Sequence, residues 1–259
     1  MITVHGNVTI AWDEIGAGEP LLLIHGLGYG RWGWEPLLPL LAERFRVISF
    51  DNRGIGESSV PPGPYTAGEM AGDALAVLDA ADVEHAHVVG TSLGGMIAQE
   101  LVLEAPDRVN RLVLISTTPG ARGGYPMPAA TIQLITEAAN WAPDVALRRF
   151  VENALGPEPD RELVECILAH RVAAPQDPAG WAAQAAAGTT YEGDARIASI
   201  TAPTLLITGT ADRVVDYRNS LALAESIRGS DLRLIPGAGH LVFWEDPHAV
   251  ADLIIGHLA

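Results

Sequence analysis

Three residues of this chain have the types and the order needed for nucleophilic acyl chemistry: Ser92, Asp212 and His240. Ser92 lies in Val88-Val89-Gly90-Thr91-Ser92-Leu93-Gly94-Gly95, a β-branched run leading through Gly-x-Ser-x-Gly into an amphipathic stretch at residues 96–103. A serine that attacks a carbonyl must stand clear of its own backbone on a sharp strand-to-helix turn, and glycines on either side let the chain pass close to its neighbours. The hydroxyl also needs a base to take its proton and an acid to orient that base. Downstream, Thr204-Leu205-Leu206-Ile207-Thr208-Gly209-Thr210-Ala211-Asp212 reads as an apolar strand running into an acid. Leu232-Arg233-Leu234-Ile235-Pro236-Gly237-Ala238-Gly239-His240 reads as a strand and a Gly-rich loop ending in histidine. Both residues fall just past the carboxyl ends of strands, where open α/β sheets place their sites. Asp216 is the alternative acid, but Asp212 lies closer to its strand.

The elements that must position these residues follow from hydrophobic periodicity. Residues 1–15 alternate as a hairpin, and short apolar strands are expected near 21–25, 46–50, 86–90, 111–115, 203–208 and 231–235. Apolar runs without alternation fit a mostly parallel sheet buried on both faces. Helical patterns lie between them at 35–43, 66–81, 96–103, 217–227 and 246–258, the alternation of an α/β fold. It breaks between about 120 and 195, where Ala-rich helical stretches at 129–140, 142–155, 160–172 and 178–187 replace strands. The expected organisation is a core of residues 1–120 and 195–259 with an inserted helical cap at 121–194.

With the elbow, Asp212 and His240, and with Asp51-Asn52-Arg53-Gly54-Ile55-Gly56-Glu57-Ser58 after the second parallel strand, the chain resembles the α/β-hydrolase fold family over nearly its whole length. The resemblance implies a mostly parallel central sheet with helices on both faces. It implies an oxyanion hole of two backbone N–H groups, from Leu27 in His25-Gly26-Leu27-Gly28 and from Leu93 after the nucleophile. His25 is then expected to hold its loop by hydrogen bonds. Gly54 and Gly56 would supply positive φ, while Asp51 and Arg53 tie their loop near the site. A serine nucleophile points away from epoxide hydrolases and haloalkane dehalogenases, which carry aspartate there.

Within the family the chain is similar to 3-oxoadipate enol-lactonases and small carboxylesterases, at Pro61-Pro62-Gly63-Pro64-Tyr65-Thr66, Leu93-Gly94-Gly95-Met96, Pro175 and Gly180-Trp181. It departs from the lactonases at His25-Gly26, at Trp32, where an arginine is expected (Arg31 is adjacent), and in the bulky Leu241-Val242-Phe243-Trp244. The expected activity is cofactor-free hydrolysis of a small ester or lactone. A C–C bond hydrolase or a perhydrolase would use the same triad, and a non-catalytic receptor would keep the scaffold alone. Trp32, Met96, Trp141 and Phe243 are the candidate pocket residues. Over residues 121–194 ten acids outnumber five arginines, which disfavours an anionic substrate unless one arginine points inward.

A dinucleotide site competes with this reading, since Gly28-Tyr29-Gly30-Arg31-Trp32-Gly33 matches Gly-x-Gly-x-x-Gly and Asp51 ends the next strand. The flanking tryptophans and the short following helix argue against it. Composition narrows the rest. Net charge is −16, and all 16 cations are arginine. Without lysine there is no Schiff base, Ser–Lys dyad or P-loop, and the acidic balance disfavours nucleic acid and anionic membranes. Cys166 is the only cysteine, so no intramolecular disulfide forms; its neighbours Leu163, Val164, Ile167 and Leu168 predict a buried thiol. No metal-ligand spacing, leader pattern or membrane-length apolar run occurs, so a cytoplasmic protein with a small-molecule substrate is expected. Nothing in the sequence specifies an oligomeric state.

Overall fold

A computed structural model describes residues 1–259, apart from the side chain of Asp194. Eight strands form one sheet: β1 (Ile2–His5), β2 (Val8–Ile15), β3 (Glu19–Ile24), β4 (Phe45–Phe50), β5 (Ala86–Thr91), β6 (Val109–Ile115), β7 (Thr204–Gly209) and β8 (Asp231–Ile235). Their spatial order is β1-β2-β4-β3-β5-β6-β7-β8. β1 and β2 pair antiparallel, β2 runs antiparallel to β4, and every later pairing is parallel. The helices are α1 (Leu38–Leu41), α2 (Ala67–Ala80), α3 (Leu93–Glu104), α4 (Ala129–Ala138), α5 (Pro143–Asn153), α6 (Arg161–Ala173), α7 (Pro178–Thr189), α8 (Asp194–Ile197), α9 (Arg218–Ser226), α10 (Val242–Glu245) and α11 (Pro247–Leu258).

Side chains alternate across a strand, so a sheet covered on both sides divides its apolar residues between two cores. Leu22, Ile24, Val88, Leu112, Leu114 and Leu206 pack with Met70 and Val77 of α2 and Ile97 and Leu101 of α3. Leu21, Leu23, Val89, Val113, Ile115, Leu205 and Ile207 face the other way, against Leu41 of α1 and Val250 and Ile254 of α11. Each buried leucine or isoleucine contributes about 2 kcal/mol through removal from water. The strands therefore read as continuous apolar runs although each serves two layers.

Helix starts follow local chemistry. Thr66 and Glu69 form a reciprocal capping box at α2, and Asp177 and Asp246 cap α7 and α11 ahead of a proline in the first turn. The predicted helix at 35–43 shrinks to the four-residue α1, preceded by a 3-10 turn, Arg31–Trp34. Pro36 and Pro39 remove the donors that a longer helix needs. Cys166 is exposed, contrary to the expected buried thiol. α6 turns Val164 and Ile167 inward, and that leaves Cys166 on the outer arc.

Helices α4 to α8 lie in the chain between β6 and β7. The chain leaves and re-enters the sheet layer side by side: the Ala121 N–H donates to Tyr191 O (3.1 Å), the Gly193 N–H to Pro119 O (3.1 Å), and Gly120 bridges Glu192. No helix among the described residues is long and apolar enough to cross a membrane.

The tightest contact in the core is where α3 crosses the sheet. A Cβ on Gly94 would stand 2.0 Å from Ile24 O, and one on Gly90 would stand 2.4 Å from Gly94 O. Gly94→Ala is therefore expected to destabilise the fold by about 2 kcal/mol or more. Urea unfolding of the purified variant checks this, and an unchanged midpoint would mean that α3 can move off β3 without cost.

Candidate active site

Ser92 occupies the turn between β5 and α3 with φ 54° and ψ −121°, a left-handed conformation that costs a non-glycine residue on the order of 1–3 kcal/mol. Neighbours hold it there. The Ser92 N–H donates to Ile115 O (2.9 Å) and the Thr117 hydroxyl donates to Ser92 O (2.7 Å). Gly26 passes so close that a Cβ on it would stand 2.8 Å from Ser92 Cβ and 3.4 Å from its Oγ. The loop after β3 is thus pressed against the serine.

Asp212 and His240 come together. His240 Nδ1 lies 2.8 Å from Asp212 Oδ2, and both residues are buried. The other carboxylate oxygen accepts the N–H groups of Val214 (2.8 Å) and Val215 (2.9 Å), so the acid is fixed before it orients the imidazole. Asp216 instead pairs with Arg218, in its own turn, and does not reach the histidine. Ser92, the 25–28 loop, Asp212 and His240 each lie past the carboxyl end of a parallel strand, β5, β3, β7 and β8 respectively.

Two backbone donors remain open at this junction. The first N–H groups of a helix have no acceptor within it. Among the described residues, no loop or side-chain acceptor takes the N–H of Leu93, the first residue of α3, or that of Leu27. Around Leu27 the loop is tied at several points. The Gly26 N–H donates to His25 Nδ1 (2.7 Å), Asn52 Nδ2 donates to His25 O (2.9 Å), and the Gly28 N–H donates to Gln184 Oε1 (3.3 Å). Gln184 Nε2 also donates to Arg53 O (2.7 Å), which joins α7 to the loop after β4. In that loop Gly54 and Gly56 have φ of 88° and 61°.

Arg171 of α6 reaches the same loop. Its guanidinium donates to Gly28 O and lies 5.0 Å from the Tyr29 ring centroid. The excess of acids in the insertion therefore does not describe the charge nearest the site, since one arginine points inward. Arg31, by contrast, pairs with Asp13, Asp51 and Glu57. Both Asp51 oxygens are further engaged by the N–H groups of Arg31 (2.7 Å) and Glu57 (3.0 Å), so the carboxylate is committed to its own loop. The Gly28–Gly33 motif runs into a 3-10 turn, Arg31–Trp34, and the next helix is the four-residue α1, so the dinucleotide reading has no helix N-terminus at its glycines to use.

The pocket candidates separate. Phe243 is fully buried between Trp34, stacked at 5.0 Å, and His25 at 5.8 Å. It is core behind the 25–28 loop, not pocket wall, because α10 turns Val242, Phe243 and Trp244 inward. Met96, in the first turn of α3, is buried in the core. Trp32 is half-buried and stacks on His170 of α6 (5.1 Å, 3° between planes). Trp141 lines a cleft of about 530 Å³ with Arg149 and Arg213, and that cleft includes neither Ser92 nor His240. Sequence reasoning missed Gln184, Arg171, Arg213 and Glu245. Only Gln184 left a trace, as a polar residue on the inward face Gly180, Ala183 and Ala187.

Burial drives the His25 pKa from 6.5 down to about 3, and the charges of His240 and Arg171 add to the effect. The folded protein keeps this ring neutral while the unfolded chain protonates it below 6.5. Its contribution to stability is therefore complete above pH 6.5 and falls as pH drops toward 3, by ~1.4 kcal/mol per unit. His25→Asn removes this slope. Urea unfolding of both proteins at pH 7.5 and 5.0 should show the wild-type advantage shrinking by about 2 kcal/mol at the lower pH; a constant gap would mean that the ring is not held neutral.

The sequence profile of the alpha/beta hydrolase fold matches residues 19–247. RutD of Azorhizobium caulinodans, a protein named for carbamate hydrolysis, is 32% identical, over 97% of this chain and 95% of its own length. The 2-hydroxy-6-oxononadienedioate/2-hydroxy-6-oxononatrienedioate hydrolase of Cupriavidus pinatubonensis is 31% identical, over 95% of this chain and 89% of its own. Among solved structures, Est816, described as an N-acyl homoserine lactone degrading enzyme, superposes with a TM-score of 0.84 at 31% identity, over 99% of each chain. The parallel sheet, the strand-to-helix serine turn and these likenesses along the whole length agree: the chain belongs to the alpha/beta hydrolase fold family.

Proposed function

We propose that this hydrolase cleaves a small carboxylic ester or lactone through an acyl-enzyme on Ser92. The observation that carries the reading is the buried His240–Asp212 pair, 2.8 Å apart, in a chain that also holds Ser92 in a strained turn past the carboxyl end of its strand. Ser92 Oγ attacks the substrate carbonyl as His240 Nε2 accepts its proton. The C–O bond breaks, and His240 returns the proton to the leaving alcohol. Water then attacks the acyl-enzyme by the same route and restores Ser92. Asp212, fixed by the Val214 and Val215 N–H groups, holds Nδ1–H and stabilises the imidazolium. The N–H groups of Leu27 and Leu93 bind the oxyanion, each worth roughly 3 kcal/mol by analogy with side-chain donors. No step calls on a cofactor. In this reading the insertion, residues 121–194, is a cap whose α6 and α7 bound the site from the side of the 25–28 loop.

Arg171 favours a second reading. It has no carboxylate partner among the described residues and stands over Gly28, next to the proposed oxyanion donor. A relative is named for hydrolysing a dienedioate, a substrate with two carboxylates. The same triad on such a substrate would use Arg171 to hold a carboxylate.

Hydrolysis of p-nitrophenyl esters from acetate to decanoate separates the two. A short-chain optimum is expected, with kcat in Ser92→Ala lower by about ten-thousandfold or more. Retained activity in that variant would overturn the assignment. Ser92 labelled by a fluorophosphonate without turnover of any ester would mean a live nucleophile with a narrow substrate, to be sought among lactones and C–C substrates.

A further inference from the structure

The residues on both sides of His240, and the residue after Asp212, are bonded to one short piece of the insertion: residues 154–156, which follow α5. The Gly239 N–H donates to Glu245 Oε2 (2.6 Å), and the Gly156 N–H donates to Glu245 Oε1 (2.7 Å). One carboxylate thus joins the residue before His240 to the insertion. The Leu241 N–H, on the other side of His240, donates to Ala154 O (3.0 Å). From the acid loop, Arg213 Nη2 reaches the carbonyls of Glu152 (2.8 Å), Leu155 (3.0 Å) and Gly156 (3.3 Å). The Arg213 carbonyl in turn accepts the hydroxyl of Thr131 from α4, and Thr131 is held by Asn153 Nδ2 (2.9 Å).

The packing leaves little slack. Leu155 is fully buried, and a Cβ on Gly239 would stand 2.3 Å from the Leu155 carbonyl carbon. A Cβ on Gly156 would stand 2.7 Å from Gly237 O. Backbone therefore lies directly on backbone. Gly156 has its N–H taken by Glu245 and its carbonyl by Arg213, so the two side chains grip one residue from opposite sides.

We propose that Glu245 and Arg213 are positioning residues that clamp residues 154–156 between the His240 and Asp212 loops, so that the alignment of imidazole on carboxylate depends on how the insertion is docked. This rests on the serine-triad reading above. Neither side chain touches the reacting atoms. Each acts through the loop that carries a triad member, and displacement of such a group by about 1 Å can lower a rate by about a hundredfold. In Glu245→Gln one acceptor oxygen becomes an NH2 facing an N–H donor, which breaks one arm of the clamp. Arg213→Lys keeps the charge but ends its side chain one bond short of Nη2, the atom from which all three carbonyls are reached.

The test compares wild type, Glu245→Gln, Arg213→Lys and the double variant, by p-nitrophenyl acetate kinetics and by the rate of Ser92 labelling with a fluorophosphonate. Thermal unfolding is measured alongside. The clamp predicts kcat lower by about 10- to 100-fold in Glu245→Gln with KM within about threefold, and labelling slowed in parallel. Arg213→Lys should move the same quantities in the same direction, and the double variant should lose less than the product of the two, because both act on Gly156. Variants that melt earlier yet label and turn over at wild-type rates would reduce the contacts to packing and overturn the proposal, as would multiplicative losses in the double variant. If Glu245→Gln does not fold, Arg213→Lys carries the same kcat-against-KM and labelling readouts. Wild type left unlabelled at Ser92 would instead sink the triad reading on which the clamp rests.

Discussion

Much of this structure depends on one residue being held where it would not rest. Ser92 sits at positive φ, and the strain is sustained because β5 and α3 leave the turn no alternative. Its amide is bonded to β6, its carbonyl to Thr117, and Gly94 is driven against the carbonyl of Ile24. Removing any one of these would let the serine relax toward ordinary backbone angles and turn its hydroxyl away. The two-sided core keeps these contacts from loosening: β3, β5 and β6 are buried on both faces, and an interior packed at crystal-like density cannot yield by tenths of an ångström at low cost.

Charge is organised around the same demand. With arginine supplying all Lys-or-Arg charge, each such group is a planar fork able to take two or three acceptors at once. Arg53 holds the buried Asp73 with two nitrogens, and Asp73 also takes His5 from the first strand, so α2, the loop after β4 and the edge hairpin are joined at one carboxylate. Arg31 gathers Asp13, Asp51 and Glu57 beside the 25–28 loop. These pairs add little to net stability in exposed positions. Their value lies in fixing how the loops above the sheet sit relative to one another.

The sheet and the serine turn were legible because their signals are local. Apolar runs at 86–91 and 204–209, the glycines around Ser92, and the caps at Thr66 and Asp246 each state their structure within a few residues. Asp212 could be separated from Asp216 for the same reason, by its distance from the strand end. What escaped was long-range. Phe243 reads as a pocket wall until Trp34 and His25 are seen to enclose it, and Cys166 reads as buried until α6 is set on its support. Glu245 and Arg213 carry no periodic or motif signal, because their partners in the insertion are backbone atoms some 60–90 residues away. Backbone acceptors have no residue type, so sequence cannot announce them.

The neck of the insertion has a consequence of another kind. Since 119–121 and 191–193 run side by side, the distance between the ends of the inserted chain is nearly zero whatever lies between them. The entropy of closing such a loop grows only with the logarithm of its length. The sheet is thus indifferent to how much chain is threaded through that gate, and lineages sharing this scaffold are free to lengthen, shorten or exchange the helices there without rebuilding the strands. Any replacement would, however, inherit an empty seat between the Asp212 and His240 loops, and only a segment that offers glycine-like backbone to Arg213 and Glu245 would fill it.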